Sequence, residues 1–69
     1  MKYLVLRIPD PGPPALAGGP NNFDTLEEAI ERMQEIRDGQ NKDHHTSHEV
    51  RSYAGDNMYE YMDREGIMY

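Results

Sequence analysis

The chain contains no cysteine and no tryptophan, and no apolar run reaches the 18 or so residues of a membrane-spanning helix. Without cysteine there is no disulfide to staple a small fold, and zinc sites built on thiolates are excluded. Positive charge is also scarce: seven lysines and arginines face thirteen aspartates and glutamates, for a net charge of −6. General electrostatics will therefore not hold this protein on DNA or on an anionic lipid surface; they steer it towards basic surfaces. The opening MKYLVLRIPD is too short and too soon charged for a secretory signal, so cytoplasmic placement is expected.

At 69 residues the chain is read as a single domain, 1–69. A chain of this size buries only about 60 % of the surface its unfolded form exposes. Ordering costs roughly 1.5 kcal/mol per residue, which area burial barely offsets in small domains. A homodimer, or a partner that completes the core, is expected on those grounds. The acidity is uneven: six acids against two arginines lie within 24–38, and four acids against one arginine within 56–65.

The stretch Phe23 to Gly39, FDTLEEAIERMQEIRDG, organises the rest. Leu26, Ala29, Ile30, Met33 and Ile36 recur at steps of three and four, which places them on one stripe of a helix. Asp24 and Thr25 are both good N-caps, each with a glutamate three residues on, as a capping box requires. Glu27 and Glu28 complement the positive end of the helix dipole, and Arg37 the negative end. Gly39 can take the left-handed conformation that ends a helix. The outward face carries Glu27, Glu28, Glu31, Glu35 and Asp38, a row that is either solvated or a binding surface.

Before this helix, residues 2–8 read as a strand ended by Pro9. Leu4, Leu6 and Ile8 share one face, taken as the face that meets the helix; Tyr3, Val5 and Arg7 share the other. Residues 9–22 hold all five prolines and three of the six glycines, so a long loop without regular structure is expected there. After the helix, 40–46 is a polar loop, and Ser47 to Tyr53 reads as a strand of low apolar content, suited to a sheet edge. Residues 56–66 support two readings. Asn57, Glu60 and Gly66 are the cap residues of a helix, with Ile67 as its hydrophobic contact. Tyrosines at 59, 61 and 69 favour strands joined by a turn at Asp63–Gly66. The strand version gives an α+β fold: a small antiparallel sheet of three to four strands in βαβββ order, packed on one amphipathic helix.

The densest set of potential ligands is His44, His45 and His48. Loop entering strand is a poor frame for three converging imidazoles, so a metal site there is only the alternative reading. No nucleophile elbow, triad or phosphate loop is present; Gly18-Gly19 lacks the P-loop spacing and its lysine. No catalysis and no cofactor are expected. With one helix covering one face of a sheet, Tyr3, Tyr59 and Tyr61 would line the uncovered face beside Val5, and tyrosine suits interfaces. The expected role is a non-catalytic protein-binding module using Tyr3, Tyr59, Tyr61, Glu27, Glu31, Glu35 and Asp38. Such a module would regulate or inhibit a larger protein with a basic surface, as small phage-encoded inhibitors do. In its sharpest form, the acidic row imitates nucleic-acid phosphates. The alternatives are a metal-binding protein or a structural accessory subunit.

Overall fold

Strand β1 (Lys2–Pro9) is the axis of the molecule. In the computed structural model, which describes residues 1–39, 46–55 and 57–69, it pairs on both edges. On one side β4 (Thr46–Tyr53) runs antiparallel to it along all eight residues, from Lys2↔Tyr53 to Pro9↔Thr46. On the other side lie two two-residue strands, β2 (Ala15–Leu16) and β3 (Asn22–Phe23), both antiparallel to β1. Helix α1 (Leu26–Asp38) follows β3, and helix α2 (Met58–Glu65) follows β4. The result is an α+β fold with one antiparallel four-stranded sheet.

The proline-rich segment is where local signals are most overridden. Pro9, Pro11, Pro13 and Pro14 prevent a continuous strand, yet the chain returns along β1 in two short pieces. Between them, Val5 still finds partners: its amide donates to Asn21 O (2.9 Å) and its carbonyl accepts from the Ala17 amide (3.1 Å). Residues 18–20 bulge away from the sheet. The expected unstructured loop over 9–22 is thus replaced by an interrupted edge strand, because β1 would otherwise leave buried backbone groups unpaired.

Helix α1 begins as its sequence implies. Thr25 is the N-cap, its hydroxyl oxygen accepting from the Glu28 amide (3.3 Å) and its hydroxyl donating to the Glu28 carboxylate (2.9 Å). Asp24 turns instead to Lys2, and this neighbour holds its carboxyl below the usual aspartate range. At the other end Gly39 stays right-handed (φ −85°), so the left-handed stop expected there does not form. Ala29, Met33 and Ile36 face the sheet, while Leu26 and Ile30 remain 43 % and 36 % exposed.

Residues 58–65 are helical, so the strand version of the C-terminal segment, and with it the βαβββ order, is corrected to βββαβα. The Asn57 side-chain oxygen accepts from the Tyr59 and Glu60 amides (3.0 and 3.3 Å), and Gly66 takes the left-handed conformation (φ 71°). The Ile67 amide then bonds back to Met62 O at 2.9 Å, closing the helix with Ile67 buried beneath it. The tail continues to Met68, which bridges Ala15 in parallel and extends the sheet beyond β2.

Two helices mean that both faces of β1 are covered. Leu4 and Leu6 pack with Tyr53, Met62 and Ile67 under α2. Val5 packs with Ala17 and Ala29 under α1, flanked by Tyr3, Phe23, Met33, Ile36 and Val50. The leucine face therefore meets α2, where the sequence pattern alone assigned it to α1. Volume explains the choice: α1 approaches with Ala29 over Val5, whereas the two leucines need the long Met62 side chain to fill the gap above them. Leu4, Leu6, Val5 and Met62 are fully buried, each stabilising by about 1.5–3 kcal/mol.

Candidate interaction surfaces

The residues expected to bind a partner separate into three places. Tyr3 lies half-buried under α1, opposite Ser52 and Phe23 on neighbouring strands. Tyr59 and Tyr61 belong to α2, across the sheet. Tyr61 stacks on Tyr53 with ring centroids 5.3 Å apart, and Tyr59 tilts against Tyr69 at 5.0 Å. The uncovered tyrosine-lined sheet face does not exist, because α2 occupies it. Tyr61 and Tyr53 act as packing instead: the Tyr53 hydroxyl is 3.0 Å from Asn22 Oδ1, linking β4 to β3 across Leu4. Tyr59 and Tyr69 stay exposed, and the Tyr69 hydroxyl donates to Asp63 (3.0 Å), which raises its pKa.

The acidic row of α1 divides by what its members touch. Glu28 is engaged in the cap, and Glu35 pairs with Arg32 at 3.3 Å. Glu27, Glu31 and Asp38 are exposed and meet no cation among the described residues. Arg32 has a further role that the sequence pattern did not reveal. Its guanidinium donates to the carbonyls of Pro20 (3.0 Å), Gly19 (2.8 Å) and Gly18 (3.4 Å), closing over the bulge between β2 and β3. Spacing along the helix offers Arg32 only as an i,i+4 partner for Glu28. The planar fork of arginine, which suits several acceptors at once, was the available signal.

Of the three histidines, His44 and His45 lie outside the described residues. His48 stands on β4 opposite Arg7, on the α1 side of the sheet. Its Nδ1 is buried with no hydrogen-bond partner among the described residues. Burial lowers its pKa, and the charges of Arg37 and Arg7 act in the same direction. Among the described residues no three histidine, aspartate or glutamate side chains converge enough to hold a metal ion.

Two open concavities are lined by described residues. One of about 300 Å³ includes Pro9, Pro13, Leu16, Met68 and Arg7 in its walls. The other, about 190 Å³, lies between Phe23, Pro20 and the Glu28, Glu31, Arg32, Glu35 side of α1. Neither pairs a nucleophile with a base. No described helix is long and apolar enough to cross a membrane.

The open edge of β4 is the remaining feature. Glu49 and Arg51 point to the α2 side and pair with each other at 2.8 Å, and this contact raises the Arg51 pKa. Val50 lies between them in sequence and points to the α1 side. No strand pairs with the outer edge of β4 among the described residues. Comparison with family models, with curated proteins and with solved structures finds no match for this chain.

Proposed function

We propose that this chain is a small acidic, non-catalytic protein-binding module that regulates or inhibits a larger protein by engaging a basic surface, including one that otherwise holds nucleic acid. The observation that carries the reading is the set Glu27, Glu31 and Asp38 on the outer face of α1, exposed and without a cation among the described residues. Helical steps of 100° place the three within about 40° of arc and along about 16 Å of axis. A row so narrow presents one line of negative charge, held rigid because the opposite side of the helix is anchored by Ala29 and by the Arg32 bonds. Each exposed charge contributes at most about 1 kcal/mol to a contact. The row therefore acts chiefly on encounter rate and partner choice, and its effect weakens with salt.

The test pairs Glu31→Lys with Asp38→Lys. These changes leave the Thr25–Glu28 cap intact, and a lysine at 38 suits the negative end of the helix. Affinity capture from cells of the source organism, followed by mass spectrometry, should recover a basic protein with the unmodified chain and lose it with the double variant. Equal recovery of that protein by a double variant of unchanged circular dichroism would reject the acidic row as the binding surface.

A further inference from the structure

The two edges of the sheet are treated differently. Beyond β1 on one side, strands of two residues, prolines 13, 14 and 20, and the bridge from Met68 leave little backbone to pair. These are the devices by which proteins blunt an edge. On the other side β4 is eight residues long, keeps one unbroken register with β1, and contains no proline, glycine or lysine. Backbone groups alternate along a strand. Since Val5 bonds towards β2 and β3, Leu4 and Leu6 bond towards β4, and their partners Arg51 and Glu49 bond inward. The amides and carbonyls of His48, Val50 and Ser52 consequently point outward.

We propose that a second copy of this chain pairs antiparallel along this edge, in the register that sets Val50 against its own counterpart on a two-fold axis. Self-complementary charge selects the partner. In that register Glu49 of each copy stands opposite Arg51 of the other, twice, on the α2 face. The neighbouring registers allowed by the same hydrogen-bonding parity are centred on Glu49 or on Arg51, and each sets a charge against its own copy. Opposite charges across a non-bonded pair stabilise and like charges destabilise. Both side chains are reachable, at 33 % and 41 % exposure for Arg51 and Glu49.

The α1 face agrees. Around that helix Arg32 lies on the flank facing the 18–20 bulge, and steps of 100° put the exposed Leu26 and Ile30 on the opposite flank. Arg37, on the same flank, sits near enough to His48 of β4 to lower its pKa. Because α1 packs over β1, β4 and β3, continuing the sheet at about 4.8 Å per strand places the two α1 helices on the same face, about 10–15 Å apart. The exposed Leu26 and Ile30 side chains then lie between the two helices and lose water contact on pairing. The interface uses neither Glu31 nor Asp38, so it stands or falls independently of the partner proposed above. Pairing would place the two acidic rows side by side on one surface.

The experiment is light scattering or sedimentation equilibrium on the full chain from about 1 to about 100 µM, a range that brackets micromolar self-association. The expected mass is twice the 8.0 kDa of one chain. Glu49→Arg and Arg51→Glu should each loosen the dimer about ten- to a hundredfold, because each places like charges in both pairs. Mixed in equal amounts, the two variants should re-associate as a heterodimer, since their charges again oppose. Ser52→Pro serves as the second variant: its amide points outward, so the monomer loses no ladder bond, yet pairing is blocked. A wild-type chain that stays at 8.0 kDa throughout overturns the proposal. So does a dimer indifferent to both charge reversals, or folded variants that do not associate when mixed.

Discussion

Removing the Arg32 guanidinium tests how a segment with so many prolines and glycines is held against the sheet. The side chain crosses from α1 to the carbonyls of Gly18, Gly19 and Pro20 and is largely shielded, at 24 % exposure. A hydrogen bond from a charged donor is worth about 1.5–3 kcal/mol net. The three carbonyls belong to exposed residues, however, and water replaces the lost donor, so the lower end applies to the group as a whole. Arg32→Met keeps the aliphatic stem and removes the fork, and is expected to cost about 1–2 kcal/mol. In a domain of this size that lowers Tm by roughly 5–15 °C. Arg32→Lys retains charge but reaches fewer acceptors, so it should recover less than half of the loss. Glu35→Gln should change Tm little, because an exposed ion pair contributes at most about 1 kcal/mol. Thermal melts give the global effect. Amide exchange gives the local one, with the Ala17 amide, which donates to Val5 O at 3.1 Å, exchanging faster in Arg32→Met. A melting temperature within about 1 °C of wild type for Arg32→Met, or full equivalence of the lysine variant, would refute the reasoning.

Two further outcomes are expected. Met62→Ala should destabilise by about 2–5 kcal/mol, since a fully buried side chain over Leu4 and Leu6 is lost. Against a total of about 3–10 kcal/mol for 69 residues, circular dichroism should show the whole fold melting earlier in one transition. A sheet that keeps its melting temperature while α2 alone unravels would contradict the packing described. His48 should make stability depend on pH. Its folded pKa lies below the ordinary 6.5, so as pH falls the unfolded chain takes up the proton first, and stability drops below about pH 6.5. Above that value the histidine is neutral in both states and contributes no slope. His48→Gln should flatten the difference, and identical pH profiles for the two proteins would exclude this role.

Helix α1 was legible because each of its signals is local. The three-and-four spacing of Ala29, Met33 and Ile36 and the Thr25–Glu28 cap act within one or two turns, and no distant contact competes with them. Strand β1 was legible for the same reason, from alternation ended by Pro9. Residues 57–67 carried their helix signals openly in Asn57, Glu60, Gly66 and Ile67, but the β preference of Tyr59 and Tyr61 stood against them. In the fold the helix wins: with the Asn57 and Gly66 caps formed, it sets Met62 and Ile67 over Leu4 and Leu6 and covers the leucine face of β1. The 9–22 segment shows the converse. Its prolines forbid a regular element, yet the unpaired groups of Val5 recruit Ala17 and Asn21, and Arg32 secures the bulge from a different element. Sequence alone therefore determined the acidity of α1, its N-cap and the Ala29, Met33 and Ile36 part of its stripe, which depend on neighbours along the chain, but not the exposure of Leu26 and Ile30. Tertiary structure decided which face each helix covers, which glutamates remain without a cation among the described residues, and which edge of the sheet stays open, because these depend on volumes and backbone groups far apart in sequence.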